Sequence, residues 1–157
     1  MFSFFNKRKG VQLLTTEEKE QIVQAIRNAE SRTSGEIRVY MERKCKYADP
    51  VNRAGEIFFR LKMHKTDDRN AVLLYVAVKD HQLAVFGDEG IYQKTGKLYW
   101  EEAVQHILRQ FNKNDFVAGI SGYVYEIGEA LAHYFPYNHN TDKNELPDEI
   151  VFGNGLK

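Results

Sequence analysis

The sequence predicts an α/β fold, a three-layer sandwich in which helices cover both faces of a small mixed β-sheet. Three observations carry that expectation. The stretch AVLLYVAV, Ala71–Val78, is apolar at every position, as in a strand buried on both faces. An alternating stretch, EIRVYME at Glu36–Glu42, precedes it across a helix-like segment, which is βαβ order and implies parallel strands. Long segments with apolar residues at helical spacing stand on both sides of these strands.

The first helix opens at TTEEKEQIVQAIRNAE, where Thr15 and Glu18 have the spacing of a capping box. Ile22, Ala25, Ile26 and Ala29 form its apolar face. In the first strand Ile37, Val39 and Met41 point one way and Arg38, Tyr40 and Glu42 the other. A second helix starts after Ala48, with Asp49 as cap and Pro50 in its first turn. Val51, Ala54, Phe58 and Leu61, with Ile57 beside them, are its expected buried face. LAVFGD follows Ala71–Val78 after the short polar connection KDHQ, so the two strands read as an antiparallel hairpin. Two long amphipathic helices complete the domain. One uses Trp100, Ala103, Val104, Ile107, Leu108 and Phe111; the other uses Phe116, Ile120, Val124, Ile127, Leu131 and Phe135. Gly119, Gly122 and Gly128 interrupt the last helix and are expected at close helix contacts, since a glycine there costs about 1 kcal/mol. Residues 15–136 thus form one domain. An N-terminal segment, 1–14, precedes it, and an irregular tail, 137–157, follows it as a surface wrap.

Composition narrows the function classes. The 157 residues are 43% apolar and 28% charged, which suits a soluble domain with a real core. Basic and acidic residues balance at 22 each, which argues against a whole-domain field for nucleic acid. Cys45 is the single cysteine, so an internal disulfide and a cysteine metal cluster are excluded, and a reducing compartment fits. No apolar stretch reaches the roughly 20 residues of a membrane span. The start, MFSFFNKRKG, has too short an apolar part for a signal peptide, and its charges fall on the wrong side. It reads as a frayed or docking N-terminus, with a weak membrane-surface foot as the alternative. The expected location is the cytoplasm.

Acidic residues bracket the two central strands. Asp67 and Asp68 precede the first of them, Asp88 and Glu89 follow the second, and Glu36 opens the earlier parallel strand. The topology places all five along one rim of the sheet. At an effective dielectric of about 20, two like charges 4 Å apart repel by roughly 4 kcal/mol. A divalent cation would offset this, and so would Arg38, Arg69 or Lys65; oxygen-only ligands suit Ca²⁺ or Mg²⁺. Ordinary turn chemistry accounts for the same residues without a ligand. His81 belongs to the hairpin turn, about 20 Å from the rim at 3.3 Å per strand residue, and is not expected to share it. No Walker A, G-x-S-x-G or G-x-G-x-x-G motif is present.

The chain resembles the TPM domain family, found in thylakoid-lumen phosphatase-type proteins, photosystem repair proteins and small bacterial proteins. The resemblance rests on SGEIRVYME (Ser34–Glu42), TDDRNAVLLYVAVKDHQLAVFGDEGI (Thr66–Ile91), Trp100 and GISGYVYEIGEALAHYFP (Gly119–Pro136), in that order. It implies an α/β sandwich, a phosphatase label, and divalent cations, calcium in particular, at the acidic rim. Carried over position by position, the metal ligands are Asp67, Asp68, Asp88 and Glu89, with Glu36 as a neighbour; Arg69 is the residue suited to pair with a phosphate. Many members carry a signal peptide and a membrane anchor, and this sequence departs from that pattern. Two functions follow. One is a cation-binding domain with weak metal-dependent phosphomonoesterase activity on a phosphate ester. The other is a non-enzymatic module whose rim loops stiffen on cation binding for a protein partner.

Overall fold

The computed structural model describes residues 14–79, 82–109, 116–138 and 150–153. The chain runs α1 (Thr16–Glu30), β1 (Glu36–Glu42), α2 (Pro50–Arg60), β2 (Ala71–Ala77), β3 (Gln82–Gly87), α3 (Glu89–Thr95), α4 (Lys97–Arg109), α5 (Phe116–Tyr134) and β4 (Val151–Phe152). The strands form one mixed sheet in the order β3-β2-β1-β4. β1 lies parallel to β2 in a register that sets Glu36 beside Ala71 and Glu42 beside Ala77. β3 returns antiparallel, with Gly87 opposite Val72.

Alternation along each strand separates two cores. On one face Ile37, Val39, Met41, Val72, Leu74, Val76 and Val85 pack against α1, α3, α4 and α5 through residues such as Ile22, Ile91, Trp100 and Ile127. On the other, Tyr40, Leu73, Tyr75 and Ala84 meet Ala54, Ile57 and Phe58 of α2. All seven residues of β2 are buried, as expected of a strand covered on both sides.

Local chemistry starts the first two helices as their sequences indicate. Thr15 Oγ1 accepts from Glu18 N–H and the Glu18 carboxylate accepts from Thr15 N–H, a complete capping box. Asp49 caps α2 through Val51 N–H, and Pro50 occupies its first turn.

Several features depart from the sequence reading. In α2 Val51 is exposed and Leu61 only half-buried, while Arg53 is buried; a carboxylate inside the fold draws the arginine inward, as described below. The acidic stretch after β3 starts a short helix, α3, that periodicity over seven residues was too brief to reveal. Gly128 is a close contact, since a Cβ there would lie 2.7 Å from Ala29 Cβ, whereas a Cβ on Gly122 would meet open space. Gly119 is buried. The tail contributes β4, which pairs parallel with β1 at Tyr40 and Met41. Gly153 N–H extends that pairing to Met41 O at 2.7 Å. A two-residue strand is too short to show alternation, so only the docked tail reveals it. His81 and the side chains of Phe111 and Phe116 lie outside the described residues, as do segments 1–13, 139–149 and 154–157.

Candidate functional site

The acidic rim exists as a place on the sheet. Glu36, the first residue of β1, is buried beside Ala71, the first of β2. Asp88 N–H donates to Ala71 O at 3.0 Å, which fastens the end of β3 to the same edge. The loops 66–70 and 88–90 then touch. A Cβ on Gly90 would lie 2.2 Å from Asp68 O and 2.6 Å from Arg69 O, so only glycine permits the approach.

Arg69 organises the rim. Its backbone sits in the left-handed region at φ 51°, a conformation uncommon outside glycine. The guanidinium donates from Nε to Asp88 Oδ2 at 2.7 Å and from Nη2 to Asp88 Oδ1 at 2.9 Å, a bidentate fork. Nη1 donates to Glu89 Oε1 at 2.8 Å. Asp88 is buried, and its Oδ1 also accepts from Glu89 N–H at 2.7 Å, capping α3. The carboxylates after β3 are therefore engaged by the arginine that precedes β2. Asp67 and Asp68 stand exposed across the same contact.

The five acidic residues share an edge without converging on a point. Among the described residues no three Asp, Glu, His or Cys side chains stand close enough to hold a metal ion. The loop adds oxygen donors that sequence reasoning missed. Thr66 is 6% exposed and Asn70 1% exposed, and neither Thr66 Oγ1 nor Asn70 Oδ1 has a hydrogen-bond partner. Neutral side chains between acidic ones carry no charge signal in a sequence, so only burial singles them out. Carboxylates and neutral oxygens are the donor types that hard cations take.

A second cluster occupies the opposite end of β1. Glu42 and Arg53 have side chains only 2% exposed and pair through two bonds, Nε to Oε2 at 2.8 Å and Nη2 to Oε1 at 2.9 Å. Tyr75 donates its hydroxyl to Glu42, and Arg53 also reaches the half-exposed Glu56, which accepts in turn from Tyr47. Burial works to raise the Glu42 carboxyl, but hydrogen bonds from Arg53 and Tyr75 outweigh it and hold its pKa below the ordinary value. Burial, with the bond to Glu42, raises the Tyr75 phenol. Cys45, with a buried Sγ 3.3 Å from Tyr47 O, belongs to this end. In sequence, Glu42 reads as the outward end of an alternating strand and Arg53 as helix surface.

Comparison with known proteins decides the family. The TPM domain model matches residues 8–130, most of the chain. The chain belongs to the TPM domain family. This TPM domain is similar to the BA42 protein of the psychrophilic bacterium Bizionia argentinensis, whose NMR structure superposes with a TM-score of 0.79. The two are 42% identical, and the alignment covers 90% of this chain and 97% of that one. The N-terminal domain of the cg2496 protein of Corynebacterium glutamicum gives a TM-score of 0.57 at 10% identity, covering 96% of this chain and 90% of that one, a likeness of fold alone. No curated protein sequence matches the chain significantly. Among the described residues, no helix of this TPM domain is long and apolar enough to cross a membrane.

Proposed function

We propose that this TPM domain is a divalent-cation-binding module whose rim loops rearrange when Ca²⁺ or Mg²⁺ displaces Arg69. One observation carries the reading: Thr66 Oγ1 and Asn70 Oδ1 are buried without a hydrogen-bond partner in the loop that presents Asp67 and Asp68. Leaving such an oxygen unpaired costs about 1–3 kcal/mol, and a hard cation is a partner both can accept. Asp67, Asp68, Asn70 and Thr66 would supply one side of the site. Glu89 and Asp88 would supply the other once Arg69 lets go.

Competition follows from charge. Arg69 and a cation both offset the repulsion of Asp88 and Glu89, so occupation by one weakens the hold of the other. The binding module is the reading taken forward; in the cation-free chain Arg69, the residue suited to grip a phosphate, spends three N–H groups on Asp88 and Glu89. A bound cation would supply Lewis-acid polarisation of a phosphoryl oxygen, and any hydrolysis of a phosphate ester would belong to the cation-loaded rim. On this reading the rearranged rim would be offered to a protein partner.

Thermal melting with added cation tests the reading. A ligand that binds only the folded chain stabilises it by about 2.7 kcal/mol at a hundred times its dissociation constant. Millimolar Ca²⁺ should raise the melting temperature, and Asp67→Asn with Asp68→Asn should remove most of the rise. Identical melting curves in EDTA, Ca²⁺ and Mg²⁺ would overturn the proposal.

A further inference from the structure

The chain is neutral as a whole, yet its charges separate along the strands. Beyond Glu42 the chain continues as Arg43, Lys44, Cys45 and Lys46. Two backbone bonds tie this loop to the end of β2: Val78 N–H to Glu42 O at 2.9 Å and Lys79 N–H to Arg43 O at 2.7 Å. Arg43, Lys44, Lys46 and Lys79 are all exposed at this edge. Among the described residues, no carboxylate stands within ion-pair distance of any of the four. Glu42, the acid that adjoins Arg43 in the sequence, forks with Arg53 and accepts from Tyr75.

Three of these cations, Arg43, Lys44 and Lys46, border an open surface depression. A cavity of about 530 Å³ is lined by Glu42, Arg43, Lys44, Cys45 and Lys46. That volume falls in the range of small-molecule sites, about 300–1,000 Å³. A concave wall lined by one sign of charge focuses the field and concentrates counter-ions. The position is also the one open α/β sheets use, outside the carboxyl ends of their parallel strands. Here the buried Glu42–Arg53–Tyr75 network lies beneath an exposed cationic edge.

We infer that this cavity binds a small phosphate-bearing molecule with two or more negative charges. Arg43 offers a planar fork suited to a phosphoryl group, and the lysines act as point charges around it. Binding would relieve the mutual repulsion of the four cations. The site stands at the far end of β1 and β2 from the acidic rim, and neither needs the other.

Titration of ¹⁵N-labelled protein with inorganic pyrophosphate, in EDTA and at constant ionic strength, tests the inference. EDTA keeps the rim out of the measurement, so a failure here and a failure of the cation reading are separate results. Saturable shifts should appear at Glu42–Lys46 and Val78–Lys79. Arg43→Gln with Lys46→Gln should weaken binding by about tenfold or more, since bonds to charged groups are among the stronger ones. Lys44→Gln with Lys79→Gln should act in the same direction, and Asp68→Asn should leave binding unchanged. All these side chains are exposed, so circular dichroism should show the fold retained. Shifts that never saturate, that spread evenly over surface lysines, or that persist with the same dissociation constant in both double variants would overturn the assignment.

Discussion

Arg53→Met removes the arginine that meets Glu42 inside the fold, and its consequence can be worked from the structure. Glu42 and Arg53 are each 2% exposed, and their fork uses both carboxylate oxygens. Methionine fills much of the volume but leaves a buried carboxylate whose remaining hydrogen-bond donor, among the described residues, is the Tyr75 hydroxyl. Breaking a buried pair on one side costs about 3–5 kcal/mol. For a chain of this size each kcal/mol shifts the melting temperature by about 2–4 °C, so a fall of roughly 6–20 °C is expected at neutral pH. Glu42→Gln should cost less, about 1.5–3 kcal/mol, because Arg53 keeps Glu56 as a partner. The pH dependence separates this mechanism from a packing defect. In the native protein the folded pKa of Glu42 is depressed, so its contribution is present above the unfolded value near 4.3 and is lost as pH falls through the folded pKa. In Arg53→Met burial acts without the guanidinium and raises that folded pKa, so the penalty is present above it and disappears as pH falls. Urea unfolding from pH 7 to pH 4 should therefore show the gap between the two proteins closing. A gap that stays constant over that range, or a loss below 1 kcal/mol at pH 7, would refute the reasoning.

Other outcomes follow from the rim and the sheet. Arg69→Gly relieves the φ of 51° but leaves buried Asp88 without its fork; the metal-free protein should be less stable by urea unfolding, while calorimetric titration shows tighter Ca²⁺ binding because the competitor is gone. Gly90→Ala places a Cβ 2.2 Å from a backbone oxygen, so it should part the two rim loops, lower the melting temperature and weaken the response to Ca²⁺ together. Amide exchange should be slowest across Ala71–Ala77, where every side chain is buried; fast exchange there would contradict the central strand. Turnover of a chromogenic phosphate ester, if measured in excess Mg²⁺ or Ca²⁺, should stay near background and fall to nothing in EDTA; robust turnover that Asp67→Ala and Asp68→Ala abolish would favour the phosphatase reading over the binding module.

Much of the architecture was legible in the sequence because it depends on short-range chemistry. The alternation of Glu36–Glu42, the unbroken apolar run of β2 and the caps at Thr15 and Asp49 each follow from interactions within a few residues. Parallel β1 and β2 follow from the intervening helix, and with them the common edge of Glu36, Asp67, Asp68, Asp88 and Glu89. What only the tertiary structure decided is how those charges are satisfied. Arg69 lies 19 residues from Asp88, and Arg53 lies 11 from Glu42; which arginine meets which carboxylate depends on loops closing in space, where several cations compete on equal terms in sequence. The same holds for β4, two residues whose strand identity comes from the edge of β1 they reach, and for Val51 and Arg53, whose exchange of inside and outside is dictated by a buried acid on another element. Burial is a property of the folded whole, so the orphaned oxygens of Thr66 and Asn70 emerge only when distant segments are packed together.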